Sequence, residues 1–133
     1  MKHLLDTDTC IFIIRKRPES VFEILRRQEL GTVGISSITH SELCHGAIKS
    51  QQPEKNMSAL EAFTAPLEIL PYDAAVGRSY GQVRSELEKR GTPIGSMDLL
   101  IAAHALSLDL TLVTNNTREF KRVKDLKLAN WIH

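Results

Sequence analysis

The sequence predicts an α/β protein, a three-layer α/β/α sandwich around a central, mostly parallel sheet of about five strands. Short apolar runs recur along the chain, and segments with helical spacing separate them. The clearest runs are rich in Leu, Ile or Val without strict alternation, as strands covered on both faces are.

The first run, His3–Leu5, is followed at once by Asp6. Asp8 is well placed to cap a helix over Thr9–Ile14. Pro18 suits a helix start, with Val21, Ile24, Leu25 and Gln28 at helical spacing behind it. A second strand is expected at Val33–Ser36, and SSITHSELCHGAIKS reads as a helix capped at Ser37 or Thr39. Pro53 opens another helix whose face carries Met57, Leu60, Phe63 and Leu67, with a third strand at Leu67–Leu70. Asp73 reads as the N-cap of a helix with Val76, Tyr80, Val83 and Leu87 on one stripe, closed by Gly91. Ser96 is the expected cap of a helix running through Ile101, Ala102, Ala105 and Leu108. The fourth strand is Leu110–Thr114, and a weak fifth lies near Leu128–Ile132.

A chain of 133 residues without linkers or repeats is expected to form one domain, 1–133, able to bury a core without staples. Apolar content of 42% and charged content of 25% fit a soluble globular protein rather than a fibrous or disordered one. No apolar stretch reaches the ~20 residues that a membrane helix needs. The opening residues do not read as a signal peptide. Cys10 and Cys44 are too few for a disulfide framework and lack metal-site spacing, so a reduced, cytoplasmic chain is the expectation. The net charge of +1 conceals basic groups: Arg15–Arg17, Arg26–Arg27, Lys89–Arg90, and Arg118 with Lys121, Arg122, Lys124 and Lys127. Such groups can hold nucleic acid locally, although each alone also reads as a solvated helix face.

In parallel sheets, ligands sit outside the carboxyl ends of the strands. Asp6 follows the first strand, while Asn116 and then Glu119, in VTNNTREF, follow the fourth. Asp6 alone could be a turn residue that caps the helix starting near Thr9, Asn116 a turn residue likewise, and Glu119 a surface acid paired with Arg118 or Arg122. Glu42 shares a helix face with Ile38 and Gly46, where its charge needs compensation by a salt bridge or a cation. Asp98 could simply favour a helix dipole, yet it begins the stripe of Ile101, Ala102 and Ala105. Four acids gathered at one sheet edge repel unless a hard cation lies among them, and Mg²⁺ or Mn²⁺ suits oxygen donors. The chemistry implied is metal-assisted hydrolysis of a phosphodiester. His40 and His45, five apart around Glu42, cannot form a zinc pair, and His104 reads as a core histidine. No Gly-rich phosphate loop and no Ser-His-Asp set is present.

Two families open with a motif like LLDTDTC. It is similar to the start of haloacid-dehalogenase-type phosphatases, in which Asp6 would be the nucleophile. Those enzymes need a late acidic pair, and the fourth strand here ends in TNN instead. The succession LLDTD, SSITHSELCHGA, GSMDLLIAAHAL and LVTNNTREF resembles the PIN-domain ribonucleases over essentially the whole chain, and within them the VapC toxins. That resemblance implies a PIN-like sandwich and a Mg²⁺- or Mn²⁺-dependent endoribonuclease acting on structured RNA, tRNA especially, with a cut in the anticodon stem-loop. It also implies a VapB-type antitoxin partner, DNA contact only through that antitoxin, and a homodimer whose sites face a shared basic groove. Carried over residue by residue, Asp6, Glu42 and Asp98 are metal-holding, catalytic acids. Many PIN domains carry Asp where this chain has Asn116, so Glu119 is expected to supply the fourth carboxylate and Asn116 a hydrogen bond. Ser96 and Met97 stand where Pro-Asn is often found, and Thr7 and Thr114 are expected to steady the cluster. Cys10–Ile14 is more apolar than one core face requires, which suits either plain core or an antitoxin groove. A PIN-fold module that binds RNA or protein without cutting is the remaining alternative; it gives no reason to keep several repelling carboxylates.

Overall fold

The computed structural model describes residues 1–132. Its strands are β1 (His3–Leu5), β2 (Val33–Ser36), β3 (Glu68–Leu70), β4 (Thr111–Val113) and β5 (Leu128–Ala129). Its helices are α1 (Thr7–Arg15), α2 (Glu19–Arg26), α3 (Ser37–Ile48), α4 (Pro53–Thr64), α5 (Gly77–Lys89), α6 (Ser96–Ser107) and α7 (Thr117–Phe120). The sheet order is β3-β2-β1-β4-β5, and every pairing is parallel. All strands therefore end at one edge, and β1, which leads into Asp6, lies at the centre.

Alternation along the strands divides the interior into two cores. Leu4 and Leu112 face Val83 and Leu87 of α5, Ile101, Ala102 and Ala105 of α6, and Phe120 of α7. Leu5, Ile35 and Val113 face Cys10 and Ile13 of α1, Val21 of α2, Leu43 of α3 and Leu60 of α4. Helices thus cover both faces, which makes the three layers. Ala102, Ala103 and Ala105 are fully buried, and their small side chains let α6 lie close on the sheet. No helix among the described residues is long and apolar enough to cross a membrane.

Several expectations need correction. Asp6, not Asp8, caps α1: its backbone is extended and its carboxylate accepts the Thr9 N–H at 2.9 Å. The helix therefore starts at Thr7 and places Asp8 in its first turn. Ser36 caps α3 in place of Ser37 or Thr39, because the last strand residue still has the extended backbone from which a hydroxyl can reach Ile38. Gly95 precedes α6 without a side-chain bond, so Ser96 is already helical. Asp73 caps a short 3-10 turn, Ala74–Val76, and α5 begins only after it. Helix α4 stops at Thr64, and Leu67 belongs to the approach to β3 rather than to its stripe. Being an edge strand, β3 exposes Glu68 and Ile69 instead of being covered on both faces.

Gly34 shows how closely β2 and β3 approach. A Cβ there would stand 2.8 Å from the Glu68 carbonyl oxygen, a backbone atom that cannot swing aside. Gly34→Ala is expected to cost about 1–3 kcal/mol, measured as a lower urea midpoint at unchanged slope.

Candidate active site at the carboxyl edge of the sheet

Asp6 sits directly past β1 and is 6% exposed. Besides capping α1 it takes a bond from the hydroxyl of Thr114, a fully buried residue at the end of β4. Burial raises its pKa above the usual carboxylate value, and the bonds from Thr114 and Thr9 pull against that rise. The Asp6 N–H binds the Val113 carbonyl at 3.0 Å, which fixes the two strand ends together.

Asp98 enters from the other side, in the first turn of α6. Its pKa is pushed up to about 7, first by burial, then by the charge and hydrogen bond of Glu119, then by the charges of Asp6 and Asp8. Glu119 lies in α7 and is held on both oxygens. The Gly95 N–H donates to Oε1 at 2.9 Å, and Asn116 Nδ2 donates to Oε2 at 2.6 Å. Asn116 is itself placed by its own N–H, which donates to Thr114 Oγ1 at 3.0 Å. Glu42 reaches the same edge from α3, where the Thr7 hydroxyl donates to Oε1 at 2.6 Å.

The structure thus brings Asp6, Asp98, Glu119 and Asn116 into one neighbourhood, and fastens Glu42 to the residue next to Asp6. The alternatives of a surface pairing for Glu119 with Arg118 or Arg122, and of a salt bridge for Glu42, do not occur. The ion pairs among the described residues are Arg26–Glu23, Arg84–Glu88, Arg90–Glu86 and Lys127–Asp109, and none includes these acids. Asp8 is the residue that sequence reasoning assigned to a cap and missed as a charge; the signal was its place two positions beyond Asp6. His104 lies outside the cluster as a buried core residue, with Nδ1 2.8 Å from Ser36 Oγ and its ring edge-on to Tyr72. His40 contacts Cys44, 3.7 Å from Nε2 to Sγ.

Among the described residues no three His, Cys, Asp or Glu side chains are already gathered around one point. The donor chemistry nevertheless fits a hard divalent cation. Every candidate ligand is a carboxylate oxygen, and among the described residues neither Asp98 nor Glu119 forms an ion pair with a cationic side chain. Oxygens already accepting an N–H keep a second lone pair for a metal.

A parallel α/β sandwich with an all-oxygen acidic cluster at its carboxyl edge is the architecture of a PIN domain, and the PIN domain family matches residues 4–126. The tRNA(fMet)-specific endonuclease VapC of Shigella flexneri is 47% identical over 131 residues, covering 98% of both chains. Ribonuclease VapC2 of Rickettsia felis is 45% identical over 134 residues, again covering 98% of both. Among solved structures, DNA-bound VapBC from Salmonella typhimurium superimposes with a TM-score of 0.93 at 44% identity, covering 98% of both chains. VapBC2 from Rickettsia felis bound to a promoter DNA fragment gives 0.90 at 42%, covering 98% of this chain and 99% of that one. The chain belongs to the VapC family of PIN-domain ribonucleases.

Proposed function

We propose that this chain, as one PIN domain over 1–133, is the endoribonuclease toxin of a VapBC-type pair and hydrolyses phosphodiester bonds in structured RNA, tRNA above all. The observation that carries the reading is the convergence of Asp6, Asp98 and Glu119 at one sheet edge, with none of them in an ion pair among the described residues. Relatives named as VapC endonucleases and ribonucleases support it. A phosphatase would need a late acidic pair that the TNN of this chain lacks, and a binding-only module would not need the acids at all.

PIN-domain nucleases use divalent metal ions, and oxygen donors favour Mg²⁺ or Mn²⁺ here. Asp6, Asp98 and Glu119 would hold the ion, with Glu42 completing the set from α3. Bound there, such an ion supplies acidified water and charge neutralisation for a phosphodiester under attack. The remaining work belongs to the chain. Thr114 and the Thr9 N–H fix Asp6, Asn116 and the Gly95 N–H orient Glu119, and Thr7 orients Glu42. Basic side chains would grip RNA phosphates with salt-sensitive affinity. Selection would come from RNA shape and splayed bases, with the anticodon stem-loop as the favoured site.

A VapB-type antitoxin is the expected partner, in keeping with relatives solved as VapBC complexes, and DNA contact would pass through it. Of the apolar Cys10–Ile14 stretch, Cys10 and Ile13 are core, and Ile13 and Ile14 border a cavity of about 680 Å³ with Phe22, Leu25, Phe63 and Leu67. Leu30, 85% exposed, stands on its lip, and this groove suits an apolar antitoxin segment. A cytoplasmic homodimer completes the reading.

The test is incubation of antitoxin-free protein with total bacterial tRNA in Mg²⁺ or Mn²⁺, read by gel and end-mapping. Discrete fragments that vanish with EDTA and with Asp6→Asn are expected. Intact tRNA in every lane, with the metal loaded, would overturn the assignment to tRNA.

A further inference from the structure

We propose that Arg122 is a positioning residue: it latches the Gly91–Gly95 loop onto α7 and so keeps Glu119 beside Asp98 in readiness for the cation. The inference rests on the reading of these acids as a cation site and deepens it.

The latch is a closed circuit of bonds. Arg122 Nη1 donates to the Pro93 carbonyl at 3.0 Å, across 29 residues of sequence. Two residues on, the Gly95 N–H donates to Glu119 Oε1 at 2.9 Å. The Arg122 N–H returns to the Glu119 carbonyl at 3.1 Å, which ties the guanidinium and the carboxylate to one turn of chain. From outside the circuit, Arg90 Nη2 donates to the Arg122 carbonyl, and Arg90 also pairs with Glu86 of its own helix. The same Gly95 that holds Glu119 is the residue before α6, and its carbonyl accepts the Leu99 N–H at 2.8 Å. Where this loop sits therefore decides where Asp98 stands relative to Glu119.

The circuit has something to oppose. Asp98 and Glu119 repel when both are charged, and they belong to elements that a loop and a four-residue helix must hold together. Gly91, Pro93 and Gly95 are exposed, and Ile94 alone of the loop packs against the core, so burial leaves the Gly95 end to be fixed by hydrogen bonds. A planar guanidinium with several donors can bridge such a gap at fixed geometry. Arg122 falls within a basic group that the sequence offers as an RNA contact, but its fork is already turned to the protein's own carbonyl.

The two roles separate in a measurement without RNA. Mn²⁺ is titrated calorimetrically into metal-free wild type, Arg122→Ala, Arg122→Lys and Arg118→Ala, and the binding of uncut tRNA to each is followed against salt. A latch predicts that Arg122→Ala weakens Mn²⁺ binding about tenfold, at the low end for outer partners of metal ligands. Arg122→Lys, which can still donate to Pro93, should recover most of it, and Arg118→Ala should match wild type. The metal-free melting temperature and the tRNA affinity of Arg122→Ala should change little. Unchanged Mn²⁺ affinity in Arg122→Ala, or a defect confined to tRNA binding and its salt slope, overturns the proposal. Should Arg122→Ala not fold, Arg90→Ala, which removes the outer bond together with the exposed pair to Glu86, decides by the same criterion of a smaller but resolved loss. Glu86→Gln, which removes that pair alone, is expected to match wild type. Wild type that binds no Mn²⁺ would instead sink the cation-site reading itself.

Discussion

Asp98→Asn is expected to lower tRNA cleavage by about a thousandfold, roughly 4 kcal/mol of barrier, while stabilising the metal-free protein at alkaline pH. The two effects have one cause. Asp98 is pushed up to about 7 by burial and by Glu119, so the folded chain binds its proton more tightly than the unfolded chain does. Between about pH 4 and pH 7 the native state carries the extra proton, and the stability of the metal-free protein falls as pH rises; above about pH 7 the penalty is complete and flat. Asparagine removes the titrating charge and the slope with it. After allowance for solvent screening at a half-buried site, the variant should be roughly 2 kcal/mol more stable than wild type at pH 8 in EDTA, and nearly equal at pH 4. Urea melts at the two pH values measure this, and end-mapped cleavage measures the other half. A variant that keeps the wild-type pH slope would show that Asp98 is not the group under strain.

Phe120→Ala should cost about 3–5 kcal/mol, the range for truncating a buried phenylalanine. Phe120 is 1% exposed and packs in the core that contains Leu4, Leu112 and Val123. Its importance follows from the length of α7. Four residues cannot hold a helix by their own hydrogen bonds, so tertiary packing must fix it, and Glu119 is the residue immediately before Phe120. Where the variant is still folded, Mn²⁺ binding should be weakened more than stability alone predicts. A loss below about 1 kcal/mol would mean that α7 is held some other way.

Much of this arrangement could be read from the chain because strong local signals carried it. The apolar runs His3–Leu5 and Val33–Ser36 became β1 and β2 with the expected bounds, and the stripe behind Asp98 packs as its spacing implies. Errors gathered at ends and edges. Asp6 and Asp8 can both be read as caps, the sequence favouring Asp8, and only the strand that delivers Asp6 in an extended conformation decides for Asp6. Edge strands lack a second neighbour, so β3 and β5 came out shorter and more exposed than the apolar runs suggest. The acids themselves were legible as types at strand ends and helix starts. The resemblance also names Thr7, Thr114 and Asn116 as supports, and they do hold acids here. The pairing of Thr7 with Glu42 and the Gly95 N–H on Glu119 were not legible, because they span 35 and 24 residues. Such contacts exist only after the sheet has aligned its carboxyl ends. Helix α7 left no periodic trace, being a single turn, yet it positions the acid on which the fourth place depends.

The central claim is that these acids form a cation site, and the melting temperature of metal-free wild type with and without Mn²⁺ at pH 8 tests it most directly. Mass action predicts a rise on the order of 10 °C at a hundredfold excess over Kd, absent in Asp98→Asn. A melting temperature indifferent to Mn²⁺ would contradict the account and leave the acids as a destabilising cluster without a ligand.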